Sequence, residues 1–179
     1  GPKTINSVRL TTGVFALYGQ TQQPNSLGKS YQTSRGLGAS GEFRIIIPAR
    51  KGHTVAFEPF IFGSLFSSTS GSTSNLLTNY GLGADLSGKN LFIGFEGAYC
   101  VSDSDSGGRT YGTTYYSYGP RLGIKIPFLK ESRASYFSFG VKYTTGQSYL
   151  PVSKNGSALM NHNTLNLFLG ITMSLGDFM

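Results

Sequence analysis

Residues 135–146 read SYFSFGVKYTTG, with Phe137, Phe139, Val141 and Tyr143 at odd positions and Tyr136, Ser138, Gly140, Lys142 and Thr144 at even ones. A β-strand sends those two sets to opposite faces, one apolar and one small or polar with a cation in it. The same period of two recurs along the chain and predicts eight strands, at 7–19, 34–47, 53–66, 76–86, 90–101, 112–126, 135–146 and 163–175. None of these segments has helical periodicity, and Gly recurs inside nearly all of them, which disfavours helix.

Parity then assigns the faces. The apolar face takes residues such as Val8, Leu10, Val14, Phe43, Ile45, Phe57, Ile61, Leu82, Leu91, Ile93, Phe95, Leu122, Ile124, Phe139, Val141, Leu167, Leu169 and Ile171. The other face takes Arg9, Glu42, Arg44, Glu58, Glu96, Arg121, Lys125 and Lys142, with many Gly, Ser and Thr. No charge of that set falls on the apolar face. Lys or Arg facing lipid near the midplane costs about 2–4 kcal/mol, so the segregation predicts an inside-out barrel with lipid outside and charge within. Lys142 points inward. The expected fold is all-β: a single domain over 1–179, an eight-stranded antiparallel up-and-down transmembrane β-barrel.

The segments between strands alternate in length. PARKGH (48–53), DLSGKN (85–90) and PFLKESRA (127–134) are short, whereas 20–33, 67–75, 102–111 and 147–162 are longer and polar. In a meander alternate connections share an end, so tight turns are expected at one end and long loops at the other, as periplasmic turns and extracellular loops are arranged in outer-membrane barrels. Tyr18, Tyr99, Tyr116 and Tyr143 face outward near the loop ends of their strands and are expected to form an interfacial girdle, since Tyr suits a membrane–water boundary. Phe128 and Phe178 are candidates for the opposite girdle.

Composition supports this picture. Only 13% of the residues are charged, against roughly 25% in soluble domains, while Gly 25, Phe 13 and Tyr 11 are high. No apolar run is long enough for a transmembrane helix. The formal charge is +7, but the basic residues are scattered, so no nucleic-acid partner is expected and anionic lipid head groups are preferred. Cys100 is the only cysteine, which precludes an intramolecular disulfide and reads as a small buried lumen side chain. Gly1-Pro2 reads as a tag-cleavage scar.

Candidate chemistry is sparse. The lumen charges read as a bracing ion-pair network, with a proton or solute path as the other reading. His53 falls in a short turn and His162 in the last long loop, where Ser157 is near but no carboxylate is; Asp103 and Asp105 belong to another loop. Both histidines are expected to be exposed and without catalytic work. SDSDSGG (102–108) lacks the spaced acids of a calcium loop and is expected to be a flexible solvated loop. No catalytic site, cofactor or metal is expected. Within 147–162, Tyr149, Leu150, Leu159 and Met160 stand out as apolar residues in a polar stretch and are the candidate loop contact surface.

The last strand, NTLNLFLGITMSLGDFM, resembles the C-terminal assembly signal of bacterial outer-membrane barrels, with Gly170, Met173 and Leu175 at the matching positions. Phe168 stands where that family prefers a polar residue, and the chain closes on Phe178-Met179. The whole chain is similar in architecture to the small OmpA/OmpX/OmpW-like barrels. The resemblance implies a place in the outer membrane of a Gram-negative bacterium, lipid partners (lipopolysaccharide or phospholipid), a further envelope or extracellular protein as a partner, and function in the loops. The activity it suggests first is non-enzymatic, a structural or interaction protein of the cell envelope. A lipid A-modifying hydrolase and a narrow channel for small hydrophobic solutes are the alternatives.

Overall fold

The computed structural model describes residues 8–24, 31–49, 54–129, 132–153 and 156–177. Their alternation is resolved into eight antiparallel strands: β1 (Arg9–Pro24), β2 (Tyr31–Pro48), β3 (Ala56–Ser70), β4 (Thr73–Ser87), β5 (Leu91–Ser106), β6 (Arg109–Leu129), β7 (Ser132–Ser153) and β8 (Gly156–Asp177). Each pairs with its neighbour in sequence, and β8 closes on β1, so the sheet is a closed barrel without edges. The expected fold is the one that forms.

The two faces separate as the parity requires. Val14, Leu37, Ile61, Leu82, Leu91, Ile93 and Leu169 are exposed on the outer wall, while Glu42, Arg44, Glu58, Glu96, Arg121, Lys125 and Lys142 are buried inside. In water this would be an inverted protein; in a bilayer, the outer residues meet acyl chains and the charges meet each other.

The strands are longer than the apolar alternation suggests, and the long polar loops are largely strand. Residues 67–70 finish β3 and 73–75 begin β4, leaving only a two-residue turn at 71–72 with Gly71 at φ 60°. SDSDSGG is likewise the end of β5 followed by Gly107 and Gly108, at φ 61° and 80°. Two consecutive positive φ values are the mark of a hairpin turn whose twist matches its strands. It is a turn, not a solvated loop. Most of 147–162 also belongs to β7 and β8, where Tyr149 pairs with Leu159, Leu150 with Ala158 and Ser148 with Met160. The physical reason is simple. Beyond the lipid both faces of a strand meet polar surroundings, so the apolar alternation stops although the backbone ladder continues.

A tilted strand needs about 9–11 residues to span a bilayer. From Leu91 to Tyr99 β5 presents that length of apolar outer face, and it then runs on to Ser106. β7 and β8 have 22 residues each, about twice the need. The surplus extends past the Tyr18, Tyr99, Tyr116 and Tyr143 level, at the end away from the termini. So the difference between the two ends is one of strand extension rather than of loop length.

Candidate lumen site

The lumen of an eight-stranded barrel is filled by side chains, and here its filling is layered. In the half nearer the termini, Arg44 lies between three acids. Its Nε meets Glu42 Oε2 at 2.6 Å, and its Nη1 meets Asp85 Oδ2 at 2.7 Å and Glu58 Oε1 at 3.2 Å. Lys125 Nζ donates to Glu58 at 2.6 Å, and both Ser87 and the Tyr136 hydroxyl donate to the same carboxylate. From Asp85 the chain of contacts continues to Arg121 Nε at 3.0 Å, from Arg121 Nη1 to Glu96 at 3.3 Å, and from Glu96 to Lys142 at 3.2 Å. The Arg121–Asp85 approach is a charge contact rather than a hydrogen bond, since neither atom has hydrogen-bond geometry.

Four acids and four bases thus form one connected set, with no net charge. That balance is what makes burial tolerable, because a lone buried ion loses its hydration without return. Asp85 is the member that the sequence pattern missed. DLSGKN reads as a turn, whereas β4 runs through Asp85 to Ser87 and buries both. The signal was the imbalance itself, three acids against five bases in the expected lumen. Arg9 opens β1, half-buried, with Ile46 and Asp177 opposite it in the two ladders.

Aromatic rings fill the space between the charges. Phe60 is flanked by two guanidinium groups, with Arg44 Cζ 4.5 Å and Arg121 Cζ 4.6 Å from its centroid. Arg121 also lies over Phe168, and Lys142 over Phe62. Such contacts stabilise a cation by the ring quadrupole, more so when desolvated. Phe168, which departs from the terminal signal that the last strand resembles, belongs to this layer: it faces inward and packs edge-on against Phe15. Above it Leu17, Phe66 and Leu77 are fully buried.

The half farther from the termini is polar but uncharged. Thr21 bonds to Thr164 at 3.1 Å, Asn75 donates to Ser102 and Ser104 at 2.8 Å, and Cys100 lies 3.1 Å from Ser117 Oγ. His162 is here, in β8 and only 3% exposed, not in an exposed loop. Its ring stacks on Tyr115 at 3.9 Å, and its Nε2 is 2.6 Å from Ser148 Oγ. Ser157, its neighbour in sequence, is not the serine it meets. Catalytic use of such a pair needs a group to orient the base, and no described residue bonds to Nδ1. Asp103 and Asp105 are exposed on the outer wall of β5. Among the described residues no group of three or more acidic, His or Cys side chains has metal-binding geometry. His53 and Phe178 lie outside the described residues.

On the outer wall Tyr99 pairs with both Tyr80 and Tyr116, the last with ring centroids 5.5 Å apart. Tyr18 and Tyr143 are also exposed, opposite Leu167 and Leu165 respectively. Tyr80 extends this outward row onto β4. At the other end Phe128 packs against Phe137 at 4.8 Å.

The backbone is similar to that of Neisserial surface protein A, with a TM-score of 0.63 at 15% identity over 93% of this chain and 97% of that one. The chain has the fold of an eight-stranded outer-membrane barrel. Looser likenesses are to the attachment invasion locus protein Ail of Yersinia pestis, in a complex with the heparin analogue sucrose octasulfate (TM-score 0.43, 11% identity, 92% of this chain and 99% of that one), and to the outer membrane protein OprG of Pseudomonas aeruginosa (0.42, 10%, 97% and 98%). No protein-family model and no curated protein matches the sequence. At 15% identity the likeness to Neisserial surface protein A is one of fold, and the barrel's own residues must carry any statement about function.

Proposed function

We propose that this barrel is a non-enzymatic structural and interaction protein of the Gram-negative outer membrane, closed through its lumen and binding through the strands that project beyond the lipid. The observation that carries the reading is the neutral ion network interleaved with Phe15, Phe60, Phe62, Phe92 and Phe168, which occupies the barrel across its apolar belt. A channel would need those groups to part. The Ser148–His162 pair favours a hydrolase less, because it faces the lumen away from lipid and lacks a carboxylate on its free nitrogen. The outer Tyr row then serves as the upper membrane anchor, with the termini on the periplasmic side.

Purified protein reconstituted in a planar bilayer is expected to give no large, steady porin-like current. A reproducible conductance step from folded protein would remove the closed-lumen reading.

Binding is assigned to the projecting hairpins. Tyr149, Leu150, Leu159 and Met160 belong to the β7–β8 hairpin above the Tyr level, and a projecting two-stranded arm on a rigid barrel suits a contact surface. Antiparallel strands can be closed by about two residues. Replacing 149–160 with a short Gly-Ser link should therefore leave a folded, heat-modifiable barrel and abolish retention of envelope components in a pull-down. Normal retention by that variant would move the contact surface to another part of the wall.

A further inference from the structure

Arg35 is a basic residue of the outer wall close to the apolar belt, and it sits in a concave place. Arg35 is exposed and points outward from β2, the same side as Leu37, Ala39 and Phe43. It is opposite Gln20 of β1 and Thr69 of β3. One outward position nearer the belt lie Leu37 and, across from it, Tyr18, so the guanidinium is anchored only about 7 Å along the strand above the Tyr18 level. Tyr18, Gln20, Arg35, Val141, Leu165 and Leu167 line a shallow depression there. Among the described residues no ion pair engages Arg35.

We propose that this depression is a lipid site, in which Arg35 binds a phosphate of the acylated, phosphorylated disaccharide that forms the outer leaflet. This rests on the outer-membrane reading above. Three features support it. A guanidinium fork matches a phosphate in charge and geometry, and at head-group height that is the anion it meets. Gln20 and Tyr18 line the same depression and bring a neutral amide and hydroxyl, while Leu165, in register with Gln20, and Leu167 and Val141, in register with Tyr18, offer an apolar wall to an acyl chain. Among the described side chains, β5 turns Asp103 and Asp105 outward, which favours recognition on the β8–β1–β2 side over that of β5. Since Arg35 lies at the end remote from the termini, the outer leaflet supplies the ligand.

The test uses the full-length protein in phosphatidylcholine vesicles doped with the diphosphorylated acyl-disaccharide, its dephosphorylated form, or phosphatidylglycerol. Retained lipid is counted by native mass spectrometry after release into detergent. Wild type is expected to retain the diphosphorylated glycolipid, Arg35→Gln to retain it roughly tenfold less, the size of one charge-assisted contact, and Arg35→Lys to lie between. Equal retention by wild type and Arg35→Gln would overturn the site, as would equal retention of the dephosphorylated lipid. Arg35-dependent retention of phosphatidylglycerol at the same level would overturn the assignment to the glycolipid. Failure of the wild type to fold into any of the vesicles, read from gel mobility before and after boiling, would instead sink the membrane reading on which the site depends.

Discussion

Glu58→Gln is expected to destabilise the barrel by about 3–5 kcal/mol, the usual consequence of removing one partner from a buried ion pair. Glu58 is the acceptor for Lys125, Arg44, Tyr136 and Ser87. Arg44 would keep Glu42 and Asp85, but Lys125 has Glu58 as its carboxylate partner and would be left charged and buried. Asp103→Asn, on the exposed wall of β5, removes the same charge and should move stability by less than about 0.5 kcal/mol. Urea titration in vesicles, read from the gel mobility of folded and unfolded forms, separates the two. The double variant Glu58→Gln/Lys125→Met should recover much of the loss, because the orphaned cation goes with its partner. If Glu58→Gln and Asp103→Asn behave alike, the network does not brace the barrel.

Much of this architecture was legible because a membrane barrel writes its two environments into odd and even positions. The parity of β7 alone, Phe137, Phe139 and Val141 out, Ser138, Gly140 and Lys142 in, already states which side is lipid. The same rule was silent where lipid ends. In β5 the run from Ser102 to Ser106 has polar residues on both faces, so strand and loop look the same in sequence, and only the ladder to Thr73–Leu77 distinguishes them. His162 illustrates the cost of that silence. Placed in a loop it is an exposed histidine; placed in β8 it is buried on Tyr115 and bonded to Ser148, fourteen residues away across the hairpin. Pairings of that kind depend on register, which no local pattern carries. Asp85 was hidden in another way, by the turn-forming character of the residues that follow it.

A second feature hidden from single-strand reading is the pairing of lumen aromatics with glycine. Phe15 is directly opposite Gly170, Phe60 opposite Gly83, Phe62 opposite Gly81, Phe92 opposite Gly123 and Phe168 opposite Gly140. Each ring lies over the bare backbone of the next strand, which is how five Phe side chains fit inside so narrow a barrel beside the ion network. A Cβ on Gly123 would stand 2.6 Å from Phe92 Cζ, closer than packed carbon atoms allow. Gly123→Val is therefore expected to cost about 3 kcal/mol or more, the upper part of the range for overpacking, because both the ring and the adjoining backbone must move. Gly63, on the outer wall of β3, has nothing nearer to its added Cβ than Asn79 O at 3.9 Å. There the same change adds β-branched apolar surface toward lipid and should be neutral or slightly stabilising. Phe92→Leu in the Gly123→Val background should recover part of the loss, since it shortens the ring that collides, although it also weakens the contacts of Arg121 and Lys125 with that ring. Urea midpoints for the three variants in the same vesicles give the comparison. Equal destabilisation by Gly123→Val and Gly63→Val would mean that glycine is needed for backbone freedom on both faces, and that the aromatic layer is not packed against the wall as these contacts require.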